Sequence, residues 1–154
     1  MSVEVVKQLY DAFAEGDMPK VLSLVSEDCQ WDHRGPPGPP INQVFVGPGG
    51  VEEFFKLYGE TQETVEFTVK EYFGAGDRVV AVGVGHHRVL ATGKKHGGDF
   101  ALTHTVRDGQ VIHWKRRTIK INAEQKFILQ AFRMQGVQKR EPRYVFVAGP
   151  DTIG

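Results

Sequence analysis

His33, His104 and Arg116 are the side chains whose chemistry and settings best suit proton transfer and anion binding. An imidazole changes protonation near neutral pH, so it takes or gives a proton without extreme tuning by its surroundings. In CQWDHR (29–34), Cys29, Trp31 and His33 alternate with Gln30, Asp32 and Arg34. That is the period of a strand, which puts Trp31 and His33 on one face and turns Asp32 to solvent on the other. In DFALTHTV (99–106), the inward set Phe100, Leu102 and Val106 carries His104 with it. In QVIHWKRR (110–117), Ile112, Trp114 and Arg116 share a face opposite His113, Lys115 and Arg117. A guanidinium beside Trp114 suits an anion or an enolate oxygen. Plainer readings stand beside these. His33 is then a hydrogen-bonded structural histidine, His104 a satisfied core histidine, and Arg116 a partner of Glu71 or a group reaching solvent.

Other patterns carry less chemistry. His86 and His87 are neighbours on a strand-like run, so they point to opposite faces and cannot chelate one ion together; no metal site is expected. GPGG (47–50) lacks the lysine and hydroxyl of a phosphate cradle and reads as a turn and helix lead-in. The single cysteine, Cys29, excludes an intrachain disulfide and a cysteine-rich metal site. Lys+Arg and Asp+Glu are equal at 19 each, which argues against nucleic acid as a partner, since phosphate neutralisation needs a basic surface. No apolar run approaches the span of a bilayer and no signal pattern opens the sequence. No membrane partner and a cytoplasmic setting are therefore expected.

The elements that must position these residues follow from periodicity. The sequence has 154 residues, 40% hydrophobic and 25% charged, an ordinary globular composition for one domain. Val5, Val6, Leu9, Ala12 and Phe13 give helical spacing over 2–15, stopped by Gly16. Asp17 can cap a second short helix over 17–27. After the proline-rich loop at 35–43, VEEFFKLYGE (51–60) reads as a helix with Phe54, Phe55 and Tyr58 clustered. Strand-like runs follow at 64–73, 78–91, 99–106 and 110–121, with GAGD and RDGQ as hairpin turns and TGKKHGG (92–98) as a longer link. A last helix is expected over 123–135, which makes residues 1–136 the domain and 137–154 a tail with one strand-like piece, RYVFV. Helices gathered on one side of an antiparallel sheet make an α+β fold. The four prolines at 36, 37, 39 and 40 restrict the loop's backbone, so it is expected to be ordered beside His33.

With these elements in place, the chain resembles the SnoaL-like proteins of the nuclear transport factor 2-like superfamily, which includes ketosteroid isomerase. The likeness rests on VVKQLYDAFAEGDMPKVLSLVSEDCQW, VFVGPGGVEEFF, GAGDRVVAVG, ATGKK and HTVRDGQVIHW in that order, and covers residues 3–118. It implies a cone-shaped α+β barrel, a curved antiparallel sheet wrapped round the helices with an internal apolar cavity, and a homodimer packed through its sheets. Thr68, Lys70, Ala101, Thr103, Thr105, His113 and Lys115 are expected on the outer sheet face. The isomerase tyrosine of the first helix corresponds to Leu9, with Tyr10 turned about 100° away. The isomerase aspartate corresponds to His33, and its neutral acid falls near Leu102. Steroid isomerisation is therefore not expected. The resemblance implies instead a cofactor-independent enzyme acting on an apolar carbonyl compound: an isomerase, cyclase, or hydratase or epoxide hydrolase. Catalysis falls to His33, with His104 and Arg116 in support, and Trp31, Phe55, Tyr58, Phe67, Phe100, Leu102 and Trp114 contact the substrate. The alternatives are a non-catalytic small-molecule binding protein of the same fold and a protein-interaction module.

Overall fold

The computed structural model describes residues 2–35 and 40–117, and compactness separates a unit ending at Arg116. The helix expected over 123–135, the RYVFV piece and the boundary at 136 lie outside the described residues.

The first helix, α1 (Ser2–Glu15), buries Val6, Leu9, Tyr10 and Ala12. Tyr10 falls over Val6 at i+4, so a turn of 100° from Leu9 does not carry it off the buried stripe, which is wider than that. Asp17 caps α2 (Met18–Ser23), its carboxylate accepting from the Lys20 amide at 3.1 Å. This helix is shorter than its sequence suggests. The Val111 amide donates to Leu24 O at 2.8 Å, and that tertiary bond draws residues 25–27 out of the helix into β1 (Val25–Asp32). β2 (Val44–Val46) precedes α3 (Gly47–Thr61), in which GPGG forms the first turn rather than a lead-in. Pro48 accounts for this, because proline is pre-set for a helix start and its absent N–H is not missed there.

Four long strands complete the unit: β3 (Gln62–Ala75), β4 (Arg78–Val89), β5 (Lys95–Arg107) and β6 (Gln110–Arg117). Asp108 and Gly109, at φ of 52° and 75°, make the tight two-residue turn that the RDGQ signal predicts. β5 starts earlier than expected, because Lys95–Gly98 pair with Gly85–Arg88. The sheet order is β2-β1-β6-β5-β4-β3. β4 is antiparallel to both neighbours, whereas β1 runs parallel to β6, a pairing that the hairpin signals between the long strands do not specify. The six strands make a curved sheet that does not close, with the helices drawn from the N-terminal half of the unit.

Two irregularities in the β3–β4 ladder, at Thr64/Glu66 and Val69/Glu71, bend the sheet as bulges do. Gly83 sits opposite the second, where a Cβ would run into the Thr68 carbonyl oxygen and lie 2.8 Å from the Phe100 ring. Gly83→Ala is expected to cost about 1–3 kcal/mol, the usual penalty of overpacking, read as a shift in the urea midpoint. An unchanged midpoint would show that the strands separate there easily.

The core joins α1, α2 and α3 to the inward sheet face through Val6, Leu9, Val21, Val51, Val79 and Val111. Of the residues expected on the outer face, Thr68 and Lys70 are exposed, but Thr103, Thr105, His113 and Lys115 are half-buried and Ala101 is buried. The methyl group of Ala101 lies opposite the larger Val82 and is too short to stand clear of its neighbours. No helix among the described residues is long and apolar enough to cross a membrane.

Candidate functional site

The parallel register places Trp31 of β1 opposite Trp114 of β6, and their indoles stack at 4.3 Å with 1° between planes. His33 follows two residues after Trp31 and keeps its face, so its ring lies over Trp114 at 5.9 Å and 11°. Phe54 of α3 packs on His33 at 4.9 Å. The ring of Tyr58 stands at 86° to the imidazole, 6.2 Å away.

Backbone contacts fix the imidazole. The His33 amide donates to Gln43 O at 3.1 Å, and His33 Nδ1 lies 3.2 Å from Ile41 O. A carbonyl only accepts, so Nδ1 carries the proton and Nε2 holds the lone pair. His33 is 4% exposed. Burial, then repulsion from Arg116, pushes its pKa down to about 4, leaving a neutral imidazole at pH 7. Pro36, Pro37 and Pro39 lie outside the described residues, but the returning arm is bonded in place. Gly35 N–H donates to Asn42 Oδ1 at 2.5 Å and Gln43 Nε2 to Pro40 O at 2.7 Å, with Ile41 buried.

Asp32 alternates away from His33 as expected, but it does not face solvent. It is 4% exposed and accepts from Arg34 Nε at 2.9 Å and Nη2 at 2.7 Å. Its register partner Lys115 lies 4.0 Å away. The Arg34 hydrogen bonds chiefly hold its carboxyl down to about 2.

His104 belongs to a different set. Its Nδ1–H donates to Val79 O at 3.0 Å, which leaves Nε2 to accept from the Tyr10 hydroxyl at 2.6 Å. That hydroxyl in turn accepts from Trp114 Nε1 at 3.0 Å. Both His104 nitrogens are thus engaged, and burial pushes its pKa down to about 4. The structure brings His104 to Tyr10 rather than to His33.

Arg116 lies on the Trp114 side of β6. A Cβ on Gly35 would sit 3.2 Å from its Nη2, and its charge acts on His33, Tyr58 and His87. Glu71 stands on β3, which β4 and β5 separate from β6 in the sheet. Burial lowers the Arg116 pKa. His86 and His87 do part to opposite faces: His86 meets Glu66 at 3.1 Å, and His87 Nδ1 lies 2.8 Å from the Tyr58 hydroxyl.

The apolar candidates fall into two neighbouring groups. Trp31 and Trp114 line the His33 side, joined by Phe55 at 6.0 Å from Trp31. Phe67 stacks on Phe100 at 4.8 Å and on Phe13 at 5.4 Å. Leu102 is buried in the core. Sequence reasoning left Tyr10, Ile41, Phe54 and His87 out of the candidate site. For His87 a signal existed. The inward set Val79, Ala81, Gly83 and Gly85 alternates along β4, and the next member is His87. For Ile41 there was none, since it touches His33 only through the fold of a loop.

Residues 6–114 match the SnoaL-like domain family. No curated protein sequence matches the chain. Among solved structures, an NTF2-like protein from Burkholderia xenovorans LB400 superposes with a TM-score of 0.66 at 25% identity, over 75% of this chain and 86% of that one. TerC, co-crystallised with polyporic acid, gives 0.62 at 25% identity over 75% and 88%. An NTF2-like protein from Burkholderia thailandensis E264 gives 0.67 at 22% identity over 75% and 88%, a likeness of fold.

Proposed function

The chain belongs to the SnoaL-like domain family, and on that premise we propose that it is a small enzyme that moves a proton on an apolar, carbonyl-bearing molecule, with His33 as its base. The state of His33 carries this reading. It is neutral, held in one tautomer, and keeps the Nε2 lone pair among aromatic rings beside a guanidinium. A base in that state works at neutral pH, and the nearby positive charge favours the anion it creates. Isomerisation, cyclisation and hydration of a carbonyl compound can all proceed through such a transfer, for which these side chains suffice without a cofactor.

The indole N–H of Trp31 supports a ligand with an oxygen. It is buried without a hydrogen-bond partner among the described residues, and a buried unpaired donor is costly unless something satisfies it. Trp31, Phe55, Tyr58 and Trp114 would bound an apolar pocket, with Phe67, Phe100 and Leu102 on its far side. That the related TerC was crystallised with polyporic acid fits a small-molecule site in this fold. His104 supports the site at one remove, orienting Trp114 through Tyr10. Association into a homodimer through the sheets belongs to the same reading.

The binding-protein reading draws on one observation, the full bonding of His104. A substituted nitrobenzisoxazole separates the two. A base removes its ring C–H proton, the N–O bond breaks, and a coloured cyanophenolate is released. The wild-type protein is expected to accelerate this roughly 10²–10⁴-fold relative to His33→Ala, the usual contribution of a positioned base. Equal rates for the two, with binding retained, would favour the binding protein.

A further inference from the structure

We propose that Tyr58 is a second catalytic group of this site, the hydrogen-bond acid that meets the negative charge created when His33 takes a proton, and that His87 positions it. The inference rests on the proton-transfer reading above. α3 and β4 bring the Tyr58 hydroxyl to 2.8 Å from His87 Nδ1, with the two rings edge to face at 5.3 Å. The same phenol ring stands at 86° to the His33 ring, 6.2 Å away. Tyr58 therefore neighbours two imidazoles, and Arg116 acts electrostatically on all three.

Burial raises the pKa of Tyr58, so the phenol keeps its hydrogen. Burial chiefly, and then His96, push His87 down to about 4, so this imidazole is neutral as well. The proposed role takes the tautomer with the proton on Nδ1, which also lies 3.4 Å from Thr64 Oγ1: His87 then donates to Tyr58 Oη, and the hydroxyl hydrogen is left for a ligand oxygen. The His87 ring also has a neighbour across the strands. Its cross-strand partner His96 lies 5.5 Å away and is bonded to Gln62 Oε1 at 2.5 Å.

The step balances without oxidation or reduction. His33 Nε2 takes a proton from the carbon next to a carbonyl, and the C–H electron pair becomes a C=C bond. The carbonyl π pair moves to oxygen, and that oxygen accepts the hydrogen bond from Tyr58. His33 then returns its proton to carbon, or the enolate carbon attacks a second carbonyl of the same molecule, whose π pair moves to its oxygen and takes the proton from His33. The Tyr58 position is separate from that of Leu9 on α1, so the donor comes from a different helix.

Benzisoxazoles of graded leaving-group acidity test the inference, because their rates depend on the base and on the donor to the departing phenolate oxygen separately. Tyr58→Phe keeps the ring and its packing. It is expected to slow the reaction about 10²-fold, the usual loss on removing one oxyanion donor, and to steepen the dependence of rate on leaving-group acidity. His33→Ala is expected to slow every member without steepening. His87→Ala should reproduce part of the steepening, and His87→Asn, which can place an amide nitrogen near Nδ1, should restore the wild-type slope. If Tyr58→Phe keeps the wild-type rate and slope while His33→Ala is slow, the Tyr58 role is overturned and the His33 reading stands. If His33→Ala is also as fast as wild type, both fall. If His87→Asn is no better than His87→Ala, His87 does not position the phenol.

Discussion

Lowering the pH from 7 to 4 is expected to remove several kcal/mol of stability from the fold, with His104 as the largest single source. Its pKa in the folded protein is lowered from 6.5 to about 4 by burial. The unfolded chain therefore binds a proton as pH falls through the ordinary histidine range, while the folded protein does not. The stabilisation is fully present above pH 6.5, declines between 6.5 and about 4, and levels off below. At 1.36 kcal/mol per pKa unit, a shift of this size is worth on the order of 3 kcal/mol. His33 acts in the same direction over the same window, and His87, more open to solvent, adds less. Asp32 has the acid's sign. Its carboxyl is lowered to about 2, so its contribution is present above the ordinary carboxylate range and lost as pH falls further. Urea midpoints measured from pH 7.5 to 2 should thus fall in two stages. His104→Gln, which cannot titrate yet can still accept from Tyr10, should flatten the first. A wild-type midpoint that stays constant down to pH 4 would mean that these imidazoles are not enclosed as the structure shows.

Trp114→Ala is expected to cost about 3–5 kcal/mol, the range for deleting a large aromatic from a core. Trp114 is 5% exposed, and three contacts converge on it. It stacks on Trp31, lies under His33, and donates to Tyr10. If His33 is the base we propose, the same change is expected to weaken proton transfer as well, because His33 loses the surface that orients its ring. Trp114→Phe separates the terms. It keeps an aromatic ring but loses the N–H, which is expected to cost about 1–3 kcal/mol through the hydrogen bond and the smaller volume together. Chemical denaturation reads both variants. A cost below about 1 kcal/mol for the alanine variant would show that the stack contributes no core packing.

The sequence by itself determined the helices and long strands among the described residues and the faces of those strands. Alternation along 29–34 placed Trp31 and His33 together because successive side chains on extended backbone must point to opposite sides. The same rule separated His86 from His87 and put Phe100, Leu102 and His104 on one face, and Asp-Gly at 108–109 marked a tight turn because few other residue pairs accept its backbone angles. Tertiary structure decided what these rules leave open, namely which strands become neighbours and what a buried polar group meets. The parallel pairing of β1 with β6 joins segments far apart in sequence, so the Trp31–Trp114 stack has no local signal. Asp32 obeys the alternation rule, yet Arg34 and Lys115 enclose it, because facing away from one side chain does not by itself mean facing water. His104 and His33 look alike as inward-facing histidines. Tyr10 from α1 engages the last nitrogen of one, while a loop carbonyl fixes the proton of the other and leaves its lone pair. Hydrogen-bond partners decide whether an imidazole has both nitrogens engaged or keeps a lone pair, and they are set by contacts between elements that only the folded chain brings together.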